Sequence, residues 1–294
     1  MTLFDWCAIS EKGRDLESNE DCVVAEPGHG IFIVADGMGG RPGGGQASRV
    51  AARTFMENLR RVNPSVIAEP HVLRKAVTAA NAAVLAIGSG EPNMKGMGTT
   101  LSAAILSDSG NRIVHVGDSR IYHFARGLLT QLTQDHTLAT ELVARDYMTK
   151  EAAAKFPMRH VLSRAVGTKT TVEPDIGNLA IRPGEWLVLA TDGLTNTVPN
   201  LRLAEVIAVN EKGGAAVVCR AIIKAAIDAG PRDNVTVAVV RPVGLCFVSL
   251  QMMNGRVARP RFSAWPWSLP RRQPRPQPGR RGDQRQSVAV PPLN

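Results

Sequence analysis

Six short apolar runs of four to six residues most constrain how this 294-residue chain can fold. Runs of that length, bounded by glycine and aspartate, are typical of buried strands. Arg112–Val116 and Arg120–Phe124 are separated only by Gly117–Asp118–Ser119, and we interpret them as a hairpin. Consecutive strands, rather than strict β-α-β alternation, favour antiparallel sheets. The six runs are Ile31–Ala35, Leu101–Leu106, Ile113–Val116, Ile121–Phe124, Trp186–Ala190 and Val235–Val240.

Three stretches between these runs carry apolar residues at steps of three and four, which predicts amphipathic helices. Two lie between Gln46 and Ile87, and the third runs from Ala215 to Asp228. Apolar residues make up 44% of the chain but aromatics only 4%, so small and branched side chains must fill the core. The sequence therefore predicts an α+β protein in which helices lie outside antiparallel sheets.

The formal net charge of +9 is concentrated at the end of the chain. After Pro242 there are nine arginines and one acid, Asp283, so the remainder has 35 − 9 = 26 basic and 26 − 1 = 25 acidic residues. We predict one domain over 1–242 and a disordered Pro/Arg-rich tail over 243–294. The nearly neutral body argues against nucleic-acid binding. One alternative is a tail that binds nucleic acid, which would show steep salt dependence and loss of binding on truncation after Pro242. Another is a tail that binds acidic partners or membrane surfaces weakly.

The four cysteines are scattered and form no C-x-x-C pair, which argues against a thiolate zinc site and favours a reducing compartment. The first ten residues lack the basic start and long apolar stretch of a signal peptide. No run approaches the roughly 20 apolar residues needed to cross a bilayer. These features predict a cytoplasmic protein without a membrane span.

Aspartates stand at the ends of four predicted strands, where a rigid scaffold can direct them to one site. Three of them have glycine directly beside them, which allows unusual backbone angles and can bring a carbonyl toward a cation. Oxygen ligands without a Cys or His cluster select Mg²⁺ or Mn²⁺ rather than Zn²⁺. The six histidines show no paired ligand spacing. The four aspartates are Asp36, Asp118, Asp192 and Asp233.

The glycine-rich stretch Gly37–Gly45 does not match a nucleotide-binding loop. Counted from Gly37, the third glycine of G-x-G-x-x-G falls on Pro42, and no Lys-Ser/Thr follows for a phosphate loop. We therefore exclude a nucleotide-binding protein from the candidate classes.

Eight short motifs resemble those of PP2C-type metal-dependent protein serine/threonine phosphatases, in the bacterial branch that has Met after Asp-Gly. They occur in the order and at the spacing of that family and span about residues 5–240. Any one motif is weak evidence, but eight in order are specific. The motifs are Ser-Asn-Glu-Asp (18–21), Asp-Gly-Met-Gly-Gly (36–40), Gly-Met-Gly-Thr-Thr (96–100), Val-Gly-Asp-Ser-Arg (116–120), Leu-Thr-Gln-Asp-His (132–136), Leu-Ser-Arg-Ala-Val-Gly (162–167), Ala-Thr-Asp-Gly-Leu (190–194) and Arg-Asp-Asn-Val-Thr (232–236).

The resemblance implies a four-layer αββα sandwich of two antiparallel sheets flanked by helix pairs, with two Mn²⁺ or Mg²⁺ ions at one edge. Two such ions about 3.5–4 Å apart lower the pKa of a bridging water toward about 7 and stabilise an in-line displacement at phosphorus. No phosphoenzyme is then required. The resemblance implies that Asp36 bridges both ions and that Asp192 and Asp233 bind the first. It implies that the Gly37 carbonyl binds the second ion, with Glu20 and Asp21 holding its waters. Asp118, with Asp192, is implied to bind a third ion.

The match departs from the family at the residue expected to bind the substrate phosphate. Family members usually have arginine five residues before the last Asp of Asn-Glu-Asp, where this chain has Leu16. If the segment is a strand, Arg14 lies on the same face, about 6.6 Å further along, and is our candidate for phosphate binding. Met38 stands where some relatives have a histidine proposed as general acid. His136 and His160 are weak candidates for that role, and a structural role suits them better.

The resemblance implies a monomeric enzyme that dephosphorylates phosphoserine and phosphothreonine in proteins and opposes a bacterial serine/threonine kinase. The alternative is a catalytically weak relative that keeps the fold as a binding module, which Leu16 would explain. Retention of all four aspartates argues against it, since a binding module has no physical need for them. Residues 140–166 fit either an insertion over the site or a surface helix with its connection.

Overall fold

The structure is a computed structural model that describes residues 3–38 and 43–244. The predicted tail over 243–294 therefore lies outside the described residues, except for Val243 and Gly244. The strands are β1 Leu3–Glu11, β2 Cys22–Glu26, β3 Ile31–Ala35, β4 Gly37–Met38, β5 Gly98–Thr99, β6 Leu101–Ser107, β7 Gly110–Val116, β8 Arg120–Ala125, β9 Leu128–Gln131, β10 Asp175–Asn178, β11 Trp186–Ala190 and β12 Val235–Val243. The helices are α1 Gly43–Arg60, α2 Pro70–Gly90, α3 Leu138–Ala144, α4 Lys150–Ala154, α5 Asp192–Thr195, α6 Asn200–Asn210 and α7 Ala215–Asp228.

Two five-stranded antiparallel sheets form the centre of the molecule. Sheet A has the strand order β1-β12-β11-β8-β9, and sheet B has the order β10-β7-β6-β3-β2. A short ribbon of β4 and β5 continues from the end of β3. The predicted α+β class with two antiparallel sheets is confirmed.

Strand β3 shows why the predicted runs are continuously apolar. Ile31 and Ile33 pack on one face of sheet B, while Phe32 and Val34 point to the other face, between the sheets. Alternate residues of a strand lie on opposite faces, so a strand covered on both sides must be apolar throughout. The inner layer is completed from sheet A by residues such as Leu187.

Helix pairs cover the outer face of each sheet. On sheet B, Phe55 of α1 and Val77 of α2 share a buried cluster with β3 and β6. On sheet A, Ile207 of α6 and Ile222 of α7 pack with β11 and β12. Helix α2 is long and apolar enough by length and composition for a membrane span, but its apolar face belongs to the sheet B cluster.

The hairpin predicted for Arg112–Val116 and Arg120–Phe124 is wrong. Strand β7 pairs with β6 and β10 of sheet B, whereas β8 pairs with β11 and β9 of sheet A. The connection Gly117–Asp118–Ser119 therefore crosses between the sheets. Gly117 adopts φ +110°, and a Cβ there would also come within 2.5 Å of the Thr100 side chain. This crossing places Asp118 at the edge where the two sheets meet.

Candidate metal centre

The ends of β3, β7 and β11 and the start of β12 meet at one edge of the sandwich, around a cavity of about 1080 Å³. The four aspartates predicted from the strand ends all line this cavity, together with Glu20 and Gly37. They come from both sheets: Asp36 follows β3, Asp192 follows β11 and Asp233 precedes β12. The structure therefore brings these predicted site residues together.

The backbone of Asp36 is fixed by two threonines at the end of β5, Thr99 in the strand and Thr100 directly after it. Its N–H donates to Thr100 Oγ1 at 2.9 Å, and its carbonyl accepts from the Thr100 N–H at 2.9 Å and from Thr99 Oγ1 at 2.8 Å. Thr100 Oγ1 is in turn 2.7 Å from the hydroxyl of Ser119 in the inter-sheet crossing. These contacts hold the main chain of Asp36 at the point where its side chain lines the cavity.

Asp21 is buried below the cavity and tied to sheet A. Thr191 Oγ1 donates to Asp21 Oδ2 at 2.8 Å, and the Thr236 N–H donates to the same threonine hydroxyl at 3.0 Å. Burial raises the pKa of Asp21 to about 7, against the lowering effect of hydrogen bonds from Thr236 and Thr191. Asp21 is therefore fixed in place beside the other carboxylates but does not line the cavity itself.

The close approach of Gly37 and Gly44 forms a cradle around Glu20. A Cβ on Gly44 would collide with the Glu20 carboxylate and come within 2.9 Å of the Gly37 carbonyl oxygen. A Cβ on Gly37 would in turn collide with the Gly44 backbone. The two glycines therefore leave a carbonyl oxygen and a carboxylate close together, which is a donor set suited to a hard cation.

The electrostatics of the cluster favour a bound cation. The pKa of Asp36 is raised well above its ordinary value by burial and then by four other aspartates: Asp21, Asp192, Asp233 and Asp118. Burial and the neighbouring Asp192 raise the pKa of Asp118 to about 7. Carboxylates brought together in this way repel one another unless a cation neutralises them.

Asp192 has one oxygen free to bind an ion. Its Oδ2 accepts a hydrogen bond from Asn196 Nδ2 at 3.1 Å, whereas its buried Oδ1 has no hydrogen-bond partner among the described residues. A buried polar atom without a partner is costly. No three His, Cys, Asp or Glu side chains within 3–38 and 43–244 already enclose an ion by themselves. Backbone carbonyls and water must therefore supply further ligands, and the oxygen-only donor set fits Mn²⁺ or Mg²⁺.

His136 has a structural role. It is buried, its Nδ1 accepts from the Gly117 N–H at 3.1 Å, and its Nε2 therefore donates to Asp175 Oδ2 at 3.1 Å. These contacts hold the inter-sheet crossing, so the side chain is not free to act on substrate. His160 is exposed and lines the cavity.

The phosphate-binding prediction for Arg14 assumed a strand, and the structure has a turn there instead. The Leu16 N–H donates to the Gly13 carbonyl at 3.2 Å, and Arg14 is exposed at this turn. Leu16 lines the cavity, whereas Arg14 does not. Two arginines of the described part of the chain do line it, Arg49 and Arg232, and both were missed. Arg232 begins the motif Arg-Asp-Asn-Val-Thr and could have been found there.

The segment 140–166 combines both alternatives that the sequence left open. It includes the end of α3 and the short helix α4, which contact each other. Beyond α4, residues 160–162 line the cavity of the carboxylates. A second cavity, of about 670 Å³, lies beside α3 and α4 and shares Asp118, His160 and Asp192 with the first. The segment is therefore a surface insertion that borders the site.

Comparisons with known proteins agree with this architecture. A family model described as protein phosphatase 2C matches residues 15–211. The serine/threonine phosphatase stp of Listeria monocytogenes is 35% identical over 236 residues, which is 79% of this chain and 93% of the relative. The serine/threonine protein phosphatase PstP of Mycobacterium tuberculosis is also 35% identical over 236 residues, but these cover 80% of this chain and 44% of that longer protein.

Solved structures show the same fold. The crystal structure of the M. tuberculosis serine/threonine phosphatase PstP/Ppp aligns with a TM-score of 0.73 and 32% identity, over 83% of this chain and all of that one. The catalytic domain of PstP in complex with two manganese ions aligns with a TM-score of 0.71, 32% identity and the same coverage.

Proposed function

The chain belongs to the protein phosphatase 2C family, and on that premise we propose how its own residues carry out the reaction. The enzyme is a metal-dependent protein serine/threonine phosphatase that uses Mn²⁺ or Mg²⁺. The observation that carries the proposal is the meeting of carboxylates from both sheets in one cavity, with the buried Asp192 Oδ1 free of any described hydrogen-bond partner. This arrangement supports assigning the metal site to that edge.

Each ligand role is a proposal for this chain. Asp36 would hold both ions of a two-ion site, Asp192 and Asp233 would hold one of them, and the Gly37 carbonyl would hold the other. Glu20 and Asp21 would hold water on the ion bound by Gly37, and the burial of Asp21 and its hydrogen bond from Thr191 support that role. When bound, the ions supply a water of lowered pKa and stabilise charge at phosphorus.

The protein's contribution is to hold the ligands still and close together. Thr99 and Thr100 fix the backbone of Asp36, and Asn196 orients Asp192 by donating to its Oδ2, which leaves Oδ1 without a described partner. Preorganised ligands lower the cost of assembling the charge arrangement of the transition state. Asp118, at the inter-sheet crossing and near Asp192, is proposed to hold a third ion with it.

The substrates proposed are proteins phosphorylated on serine or threonine by a partner kinase, and the enzyme is proposed to act as a cytoplasmic monomer. The tail over 243–294 is not assigned a part in catalysis. Its separation from the phosphatase domain over 1–242 rests on composition, which turns rich in Pro and Arg after Pro242.

The test is hydrolysis of a phosphothreonine peptide by the full chain with Mn²⁺, with excess EDTA, and by Asp192→Ala. We expect turnover that needs metal and falls at least about 10³-fold in the variant, because the first ion loses a ligand that touches it directly. Circular dichroism and the melting temperature of the variant provide the folding control. Absence of turnover by the wild type with Mn²⁺ across many phosphopeptides would instead favour a binding module with a phosphatase fold.

A further inference from the structure

Among the described residues, the cavity has very few positive charges for a site that must bind a phosphate dianion. Seven carboxylates of residues 3–38 and 43–244 line it, against two arginines, Arg49 and Arg232. Two divalent ions would bring four positive charges, which leaves this described lining negative without the two arginines. A phosphate bound there needs further cations, and a guanidinium can give it two parallel hydrogen bonds.

Both arginines are free to bind a ligand. Neither makes a hydrogen bond or an ion pair with any residue in 3–38 or 43–244. Other arginines of the same domain are paired with acids, as Arg120 is with Asp135 at 2.7 Å and Arg241 with Asp5 at 2.6 Å. A cavity rich in carboxylates that nevertheless leaves two guanidinium groups unpaired is poised for an anion from outside.

Arg49 reaches the cavity because Gly45, one turn earlier on α1, has no side chain. A Cβ on Gly45 would come within 3.1 Å of Arg49 Nη1 and within 3.4 Å of the Asn19 carbonyl oxygen. The guanidinium therefore lies back over the first turn of the helix, on the side of Glu20. In agreement, the pKa of Glu20 is raised by burial and by Asp233, and Arg49 opposes that rise.

Arg232 stands on the wall that also carries Leu16. The Gly13 N–H donates to Asn234 Oδ1 at 3.1 Å, so the 13–16 turn is held against the segment that begins β12. A Cβ on Gly13 would come within 2.8 Å of the Asp233 carbonyl oxygen and 2.9 Å of Leu16 Cδ1. Leu16 and Arg232, which directly precedes Asp233, therefore share one wall of the cavity.

We infer that Arg232, with Arg49 on the Glu20 side, binds the phosphate of the substrate, and that Leu16 leaves the space for it. The inference rests on the proposed phosphatase function and deepens it by assigning the anion subsite. Arg232 is the principal contact because it adjoins the metal ligand Asp233, whereas Arg49 lies beside Glu20. Both side chains touch substrate, and neither exchanges a proton with it.

Inorganic phosphate is the probe for the subsite, because it reports binding without turnover. Isothermal titration of Mn²⁺-loaded full-length protein with phosphate should give a Kd raised about 10- to 100-fold by Arg232→Gln, as expected for loss of a charged hydrogen-bond pair. Arg49→Gln should raise it by about 10-fold or less. With a phosphothreonine peptide the same variants should raise KM more than they lower kcat, while titration with Mn²⁺ stays as in the wild type.

Arg53→Gln is the matched control, since Arg53 lies one turn beyond Arg49 on α1, is exposed and does not line the cavity. It should bind phosphate within about 2-fold of the wild type. Phosphate binding by Arg232→Gln at wild-type affinity would overturn the inference, as would a larger loss from Arg14→Gln than from Arg232→Gln. Adding Leu16→Arg to Arg232→Gln should recover phosphate affinity, and failure to recover would refute a shared subsite.

The two proposals fail in different ways. Metal-dependent turnover that is indifferent to Arg49 and Arg232 would remove the anion subsite and leave the phosphatase. Mn²⁺-dependent phosphate binding that Arg232→Gln weakens, without turnover of any phosphopeptide, would remove the catalytic function and leave the subsite.

Discussion

The floor of the cavity, formed by Asp36, Asp118, Asp192 and Asp233, is built differently from its rim at Arg49 and Arg232. The floor residues stand at strand ends, and hydrogen bonds to Thr99, Thr100 and Asn196 fix two of them, Asp36 and Asp192. The rim residues are long side chains without described partners. The floor is therefore set before any ligand arrives, whereas the rim takes its bound geometry from the ligand.

This difference assigns separate tasks to the two regions. A rigid floor suits metal ions, whose ligand distances tolerate little variation. An unpaired rim suits phosphate groups carried on different proteins, because exposed arginines can adjust to each substrate. Changes to the floor should then affect kcat and metal binding, and changes to the rim should affect KM.

Asp36→Asn should produce the largest effect, because it removes the charge of the central carboxylate of the floor. We expect kcat to fall at least about 10³-fold, because the side chain proposed to touch both ions loses its charge. The melting temperature in EDTA should rise or stay unchanged, since burial and four neighbouring aspartates disfavour the ionised form of Asp36. Kinetic assays with Mn²⁺ and calorimetric Mn²⁺ titration check the first expectation, and differential scanning fluorimetry checks the second.

Near-normal kcat with unchanged Mn²⁺ affinity in Asp36→Asn would show that the bridging role belongs to another residue. A large fall in melting temperature would instead show that Asp36 stabilises the fold, and loss of activity would then carry no information on the metal.

Gly44→Ala should have an intermediate effect where the floor meets the rim. The added methyl group would collide with the Glu20 carboxylate and crowd the Gly37 carbonyl, so Mn²⁺ affinity should fall about 10- to 100-fold, as is usual when metal-orienting groups are displaced. Gly90→Ala is the control, because a Cβ at the end of α2 meets nothing within 4 Å. Equal Mn²⁺ affinity in both variants would mean that Glu20 and Gly37 do not help to hold an ion.

The contrast between floor and rim also explains what the sequence could reveal. Ile31–Ala35 and Trp186–Ala190 have the predicted bounds, because strands buried on both faces must be continuously apolar and the aspartates follow where burial ends. Of the two rim residues, Arg232 is at least part of the motif Arg-Asp-Asn-Val-Thr, whereas Arg49 has no signal, since an unpaired surface arginine near the site has the same local sequence as any other. Arg49 becomes a candidate for phosphate binding only when the structure shows Gly45 beneath its guanidinium.

Long-range pairing accounts for the other errors. Strand β1 was not predicted, since its residues are only partly buried and its partner in the described sheet is β12, more than 200 residues later. The hairpin error has the same origin: three residues between two strands suit a tight turn or a passage between sheets equally well. Only the pairing of β7 with β10 and of β8 with β11 decides between them.

The smallest effect expected is a pH dependence of stability that differs between the metal-free and the metal-bound protein, because of Asp118 in the floor and Asp21 beside it. Burial raises the pKa of Asp21 and of Asp118 to about 7, whereas both titrate near about 3.9 in the unfolded chain. Between these values the unfolded chain binds fewer protons than the folded one, so metal-free stability should fall as pH rises from about 4 to 7. Mn²⁺ binds the ionised carboxylates, so its stabilisation should grow over the same interval.

The measurement is the melting temperature at pH 5, 6, 7 and 8, with Mn²⁺ and with EDTA at matched ionic strength. The informative quantity at each pH is the difference in melting temperature between the Mn²⁺ and the EDTA sample. His115, whose pKa burial lowers to about 4, destabilises the folded state below about pH 6.5. That contribution is common to both samples and cancels in the difference. A difference that increases by several degrees from pH 5 to pH 8 would tie the metal to the buried carboxylates, because only their protons compete with it. A difference that stays constant would place Mn²⁺ binding on groups already ionised at pH 5, and the rigid floor would lose its role as the metal site.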